Sequence, residues 1–226
     1  MVKDEDDDKI SRPLIIGINA SLTREGTTAR NLKKTLQFVE KHGGKAKIIH
    51  LVDLEIFPPR GGYSKDGKEN QPPYVNADTE FLFDELLAAD GFILAVSVHW
   101  RLPASPAVAF LEKLDVLENK GCLLEGKAVG ILVNYELEEG GVGATLMADF
   151  SDMGLHVAPY AKVACNFISS RVNQCPPLEW LLQNLSEVFR KEVDGFSWRL
   201  EALANNMMKE IKMLRHSGLE SKGSWR

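Results

Sequence analysis

Apolar residues fall into short unbroken runs, separated by stretches in which they recur every three or four positions. The first run, Leu14-Ile15-Ile16-Gly17-Ile18, breaks into Gly and hydroxyl residues; Ala29, Leu32, Leu36 and Val39 then take up helical spacing to about Lys41, where His42-Gly43-Gly44 supplies the stop. An Ile-rich run of this length reads as a strand buried on both faces. Lys45 to Leu51 predicts a second strand, Thr79 to Ala89 a second helix, Gly91 to Val98 a third strand and Ala107 to Leu117 a third helix. Ala128 to Asn134 predicts a fourth strand, Ala144 to Met153 a fourth helix and Val157 to Ala164 a fifth strand. Buried strands alternating with helices in this way predict an α/β fold with a doubly wound, five-stranded parallel sheet. Such sheets bind ligands beyond the carboxyl ends of their strands, where the strand order reverses. The loops after strands one, three and four are therefore expected to meet in one crevice.

Two segments exceed what the alternation needs. Arg60 to Asn76 is a long aperiodic loop rich in Gly, Pro, Lys and Asn, of the kind that forms lids or partner contacts. Beyond the fifth strand, Leu178 to Val193 and Phe196 to His216 predict two further helices; Leu200, Leu203, Met207, Ile211 and Leu214 form one apolar stripe on the second. The expected organisation is an acidic disordered tail over 1–12, the α/β domain over 13–176, and a helical C-terminal extension over 177–226 that packs on the fold or on a second subunit.

Composition narrows the class of protein. With 226 residues, 44% hydrophobic and 26% charged, the chain is an ordinary globular protein of one domain. The net charge is −5, and Asp4, Glu5, Asp6, Asp7 and Asp8 against Lys3 and Lys9 account for −3 of it, so nothing calls for nucleic acid. There is no run long enough for a membrane span and no basic-then-apolar leader, which makes a cytoplasmic location the expectation. Cys122, Cys165 and Cys175 are odd in number and widely spaced, which suits reduced thiols rather than disulfides or a metal site. His42, His50, His156 and His216 stand in no metal-ligand spacing, and Glu136, Glu138 and Glu139 read as a solvated loop edge.

The chemistry concentrates where the first strand meets the first helix. A strand-to-helix loop gathers unpaired N–H groups and the positive end of the helix dipole, a combination that attracts an anion. Ser21, Thr23, Thr27 and Thr28 add hydroxyl donors, and Gly26 permits close approach of the backbone. No Gly-Lys-Ser/Thr triplet follows Gly26, which argues against a nucleoside triphosphate loop, and Gly17 is followed by Ile18-Asn19-Ala20-Ser21 rather than by the three-glycine dinucleotide fingerprint. A monophosphate dianion, such as that of flavin mononucleotide (FMN), fits what remains. The competing reading is an ordinary turn capped by Thr27 or Thr28.

From Leu14 to about Tyr160 the sequence resembles the NADPH-dependent FMN reductase family, whose fold is flavodoxin-like. The family's Gly-Ser-Pro-Arg-type loop is matched by Ala20-Ser21-Leu22-Thr23-Arg24-Glu25-Gly26-Thr27-Thr28-Ala29. Its Thr/Ser-Pro-x-Tyr-Trp/Asn segment and following helix are matched by Ser97-Val98-His99-Trp100 and Ala109-Phe110-Leu111-Glu112, and its Gly-rich turn by Asn134-Tyr135 and Gly140-Gly141. Val98, His99 and Arg101 stand where proline, tyrosine and glycine are usual. The resemblance implies a sheet order of 2-1-3-4-5 and FMN as cofactor. Its phosphate would be held by Ser21, Thr23, Gly26, Thr27 and Thr28, and its ring bordered by Ser97, Val98, His99, Trp100, Arg101, Asn134, Tyr135, Gly140 and Gly141. It also implies NADPH or NADH as hydride donor, a quinone, free flavin or similar small-molecule acceptor, and a homodimer or homotetramer. His99 and Arg101 are the candidate catalytic side chains. Related iron–sulfur flavoproteins carry a compact cysteine cluster that this sequence lacks, so no metal is implied. The alternative is a non-catalytic flavodoxin-like electron carrier or interaction protein.

Overall fold

The strand runs and helical stripes close into a three-layer α/β sandwich. The computed structural model describes residues 11–57, 75–135, 140–166 and 198–217. The acidic tail to residue 10, the loop over 58–74, Glu136, Glu138 and Glu139, and the expected helix Leu178–Val193 with Cys175 lie outside these residues. In chain order the elements are β1 (Leu14–Ala20), α1 (Thr27–Lys41), β2 (Lys45–His50), α2 (Ala77–Ala88), β3 (Gly91–His99), β4 (Leu102–Pro103), α3 (Ser105–Asn119), β5 (Ala128–Tyr135), α4 (Val142–Asp152) and β6 (His156–Asn166). A further helix, α5, runs over 198–217. A 3-10 turn, Leu51–Asp53, leaves β2.

The sheet order is β2-β1-β3-β5-β6, all parallel, with β4 paired antiparallel to the end of β3. Apart from the two-residue β4, this is the expected 2-1-3-4-5 order. Order reverses at β1, between β2 on one side and β3 on the other, so the topological switch point lies at the carboxyl ends of β1 and β3. The β5–β6 register shifts between Val129 and Ile131.

Because side chains alternate along a strand, each face of the sheet has its own core. On one face Ile16, Ile18, Phe92, Leu94, Val129 and Ile131 meet Leu82 and Leu86 of α2, Phe110 and Leu114 of α3, and Leu146 and Phe150 of α4. Phe92 stands edge-on to Phe110 and Phe150, with ring centroids 6.3 and 5.5 Å away. On the other face Ile15, Ile93, Ala95 and Leu132 meet Leu32, Leu36 and Val39 of α1 together with Leu200, Leu203, Met207 and Ile211 of α5. A Cβ at Gly130 would stand 3.0 Å from Leu203 Cδ1 and 3.2 Å from Met207 Sδ, so the absence of a side chain there lets α5 settle onto β5.

Polar clasps fix α5 at the amino edge of the sheet. Arg215 donates from Nε (2.9 Å) and Nη2 (2.6 Å) to Asp90 Oδ1, and from Nη1 to the Ser11 carbonyl. Asp90 Oδ2 in turn accepts from the Leu14 amide at 2.7 Å. At the other end of the helix, Lys41 Nζ pairs with Glu201 Oε1 at 2.7 Å.

Candidate functional site

Each inner strand is apolar until its carboxyl end and then turns polar. Asn19 on β1, His50 on β2, Ser97 on β3 and Asn134 on β5 all lie at that edge, and the register places Asn19 beside His50 and Ser97 beside Asn134. Polar residues in a buried sheet need partners, and these four edge residues mark the crevice.

The loop after β1 is held from beneath. Asn19 is fully buried; its Nδ2 donates to the Thr23 carbonyl (3.1 Å) and to His50 Nδ1 (2.9 Å), while its Oδ1 accepts from the Ser21 amide (3.4 Å). Ser21 Oγ accepts from the Thr23 amide at 3.4 Å and lies 3.5 Å from Thr23 Oγ1. The hydroxyls are therefore folded inward around a tight bend. Asn19 and His50 carried no motif in the sequence; the readable signal was a polar residue at the carboxyl end of each strand, after the buried run of β1 and the Ile48-Ile49 pair of β2.

Helix α1 begins after Gly26, which occupies the cap position with extended backbone and offers no side-chain cap. The competing reading, a turn capped by Thr27 or Thr28, is therefore not what forms: both residues lie inside the first helical turn, beyond the cap position. The first carbonyl-accepted amide is that of Arg30, bonded to the Gly26 carbonyl at 3.1 Å. The amides of Thr27, Thr28 and Ala29 thus belong to the open first turn, where helical geometry supplies no acceptor. A Cβ at Gly26 would overlap Thr23 Oγ1, so glycine is what allows that hydroxyl to lie against the helix start. Thr28 and Ser21 are buried at this point, and Thr27 Oγ1 accepts from Arg30 Nη2 at 2.9 Å, leaving its own proton to donate. Arg24 pairs with Asp53 at 3.0 Å across the mouth of the loop. Burial is the main cause that lowers the His50 pKa, opposed by Asp53 and Glu25 and assisted by Arg24 and Lys33.

The loop after β3 is a tight hairpin. Trp100 and Arg101 both have positive φ (51° and 64°), the backbone form that joins β3 to β4 in two residues; Val98 then pairs with Pro103 and His99 with Leu102. The hairpin exposes what packing would normally cover. Trp100 is 97% exposed and Leu102 65%. Among the described residues nothing covers the Trp100 ring. His99 Nε2 lies 3.3 Å from Ser97 Oγ. Gly140, at φ 67°, abuts this hairpin: a Cβ there would come within 2.8 Å of both Arg101 Cα and the Arg101 carbonyl oxygen. Gly141, at φ 83°, is the cap of α4. The loops after β3 and β5 therefore meet.

A link across the crevice joins the cradle to β5. Asn31 Nδ2, on the second turn of α1, donates to Asn134 Oδ1 at 2.9 Å. Asn134 is only 6% exposed, and its Nδ2 is buried without a hydrogen-bond partner among the described residues. A buried amide donor left unmade costs about 1–3 kcal/mol, so this group fits an acceptor brought by a ligand. The open α1 turn, the inward hydroxyls and the orphan amide together suit a phosphorylated, hydrogen-bonding ligand such as FMN. Tyr135 is half-buried beside Asn134.

Comparison with known proteins bears on the same region. A family model described as NADPH-dependent FMN reductase matches residues 13–168. Among solved structures, the chain is similar to RosB with bound 8-demethyl-8-formylriboflavin-5'-phosphate, at 16% identity and a TM-score of 0.71 over 91% of this chain and 81% of that one. It is also similar to the apo form of the NADH:FMN oxidoreductase EmoB, at 21% identity and a TM-score of 0.58 over 95% and 97% of the two chains. An archaeal flavodoxin aligns at 12% identity and a TM-score of 0.54 over 88% and 99%. At these identities the likeness is one of fold. No curated protein matches the sequence significantly.

Proposed function

The chain belongs to the NADPH-dependent FMN reductase family, and from that premise we propose that it takes hydride from NADPH or NADH and passes the electrons to a quinone, a free flavin or a similar small acceptor. At the coarser level it is a flavin-dependent oxidoreductase of the FMN reductase type. Its described helices include none long and apolar enough to cross a membrane.

The observation that carries the reading is the uncapped first turn of α1, with the Ser21 and Thr23 hydroxyls folded together beside it. Ser21, Thr23, Thr27 and Thr28 with the first-turn amides hold the phosphate, and Gly26 keeps Thr23 Oγ1 close to that turn. Asn134 Nδ2 donates to the ligand from the floor of the crevice. Ser97, Val98, His99, Trp100 and Arg101 border the ring on one side, and Tyr135, Gly140 and Gly141 on the other. Bound FMN supplies a ring that exchanges hydride with a nicotinamide, which is why few catalytic side chains are needed. His99, whose Nε2 lies 3.3 Å from Ser97 Oγ, and Arg101 are the side chains assigned to proton handling and to positive charge in this reading. Assembly as a homodimer or homotetramer is part of the proposal, and light scattering of the purified protein tests it.

One observation favours a second reading. The hairpin tip presents Trp100 and Leu102 to solvent beside the crevice, a surface suited to a protein redox partner, as in an electron carrier. Visible spectra separate the two. Purified protein, titrated with FMN if colourless, is treated anaerobically with NADH and then NADPH. Bleaching of bound flavin is expected; stable binding without bleaching favours the carrier, and no binding refutes both flavin-dependent readings and leaves an interaction protein that keeps the fold without its chemistry. Replacing Ser21 and Thr28 together by Ala is expected to weaken FMN retention at least tenfold, since two hydrogen bonds to a charged group are lost. Unchanged affinity removes the cradle assignment.

A further inference from the structure

The bond between Asn19 and His50, at the carboxyl edge of β1 and β2, decides which way the Asn19 amide faces. Asn19 Oδ1 must accept, because its neighbour is the Ser21 amide; Asn19 Nδ2 must donate, because its neighbour is the Thr23 carbonyl. The amide therefore cannot be turned over without facing donor to donor at Ser21 and acceptor to acceptor at Thr23. Its remaining N–H points at His50 Nδ1, 2.9 Å away, which can accept only while that nitrogen carries no proton. Both side chains are buried, so neither water nor a surface group substitutes readily.

We propose that His50 is a positioning residue for the phosphate loop: its unprotonated Nδ1 locks the Asn19 carboxamide, and that amide sets the bend from Ser21 to Thr23 on which the hydroxyl donors depend. The role rests on the reading of this loop as the FMN phosphate cradle. Protonation at Nδ1 sets donor against donor, releases the amide and loosens the bend. The groups around the imidazole divide on this point. Asp53 on the 3-10 turn and Glu25 on the loop favour the proton, while Arg24 on the loop and Lys33 on α1 oppose it, and burial opposes it most. The imidazole is thus kept in the accepting form through neutral pH, and the lock opens on acidification.

The test uses the full chain and titrates FMN and riboflavin calorimetrically from pH 8 downward, for the wild type, His50→Leu and His50→Asn. Riboflavin lacks the phosphate and reports everything except the cradle. His50→Leu is expected to weaken FMN about three- to tenfold at pH 8, the loss of one buried neutral hydrogen bond, and to leave riboflavin unchanged. His50→Asn keeps an acceptor near the Nδ1 position and does not titrate. It is expected to bind FMN within about twofold of wild type at pH 8 and to lack the acid-side fall specific to the wild type. The second ionisation of the FMN phosphate, near pH 6, is common to all three proteins and cancels in the comparison. Equal FMN affinity in His50→Leu and wild type, with the preference for FMN over riboflavin intact, overturns the positioning role alone. Equal losses for FMN and riboflavin also overturn it, since His50 then supports the fold in general. Equal affinity of the wild type for FMN and riboflavin overturns the cradle reading and the positioning role with it.

Discussion

Gly26→Ala isolates one hydroxyl of the cradle without disturbing the fold. At this position the backbone is extended, with φ −83° and ψ −175°, so alanine introduces no backbone strain. The new Cβ overlaps Thr23 Oγ1 but stands an ordinary 3.7 Å from Thr23 Cβ. Only the hydroxyl must move, and rotation about χ1 of Thr23 is enough to clear it. Two stability terms of opposite sign then remain. Alanine restricts the unfolded chain, worth about 0.4–1 kcal/mol, and caps a helix less well than glycine by a comparable amount, so the net change is expected within about 1 kcal/mol. Binding loses more. A hydrogen bond to a charged group contributes about 1.5–3 kcal/mol, so swinging Thr23 Oγ1 away should weaken FMN roughly ten- to 150-fold. Calorimetric titration gives the affinity, and denaturant unfolding without ligand gives the stability. Thr23→Ala supplies the control: once the hydroxyl is gone, adding Gly26→Ala should cost little more, and the two changes should be far from additive. Additive losses, or a full-sized loss in the Thr23→Ala background, would refute the argument that glycine is there for that hydroxyl.

Other expectations follow from the same geometry. Arg215→Ala removes the clasp on Asp90 and the Ser11 carbonyl and should destabilise the fold by about 1–3 kcal/mol in urea unfolding, with FMN affinity unchanged because the clasp lies at the opposite edge of the sheet. Gly140→Ala places a Cβ against the Arg101 backbone at a positive φ, so at least about 2 kcal/mol should be lost, or amide exchange around the hairpin should accelerate. The folded-state pKa of His50 lies below its unfolded value, so between the two the unfolded chain binds more protons. This group's contribution is therefore complete above about pH 6.5 and is lost as pH falls through the lowered folded value, a trend that unfolding of His50→Asn should lack. Trp100→Ala should leave the melting temperature within about 1 °C of wild type, since the ring is solvent-exposed, while changing the turnover or partner affinity of whichever activity the crevice supports.

How much of the site could be read beforehand depended on whether its signal was local. Ser21, Gly26 and Thr28 stand within one strand-to-helix turn, and the chemistry of such a turn follows from helix geometry alone. The hairpin at Trp100 and Arg101 was less legible, because two consecutive non-glycine residues at positive φ contradict ordinary preference; the neighbouring loop at Gly140 packs against it from 39 positions further along the chain. A separation of 103 positions hid the bond of Asn134 to Asn31 of α1, and with it the Asn134 Nδ2 that has no partner among the described residues.

By itself, the sequence determined the alternation of strand and helix, the parallel sheet and the anion-attracting turn after β1, because period, buried apolar runs and helix ends are set by neighbours within about ten residues. The tertiary structure alone decided that Asn19 and His50 stand side by side, that Gly140 leans on Arg101, and that α5 returns to cover the face shared with α1. Strand register and layer packing bring distant residues into contact, and the free energy of those contacts exists only once the sheet has closed.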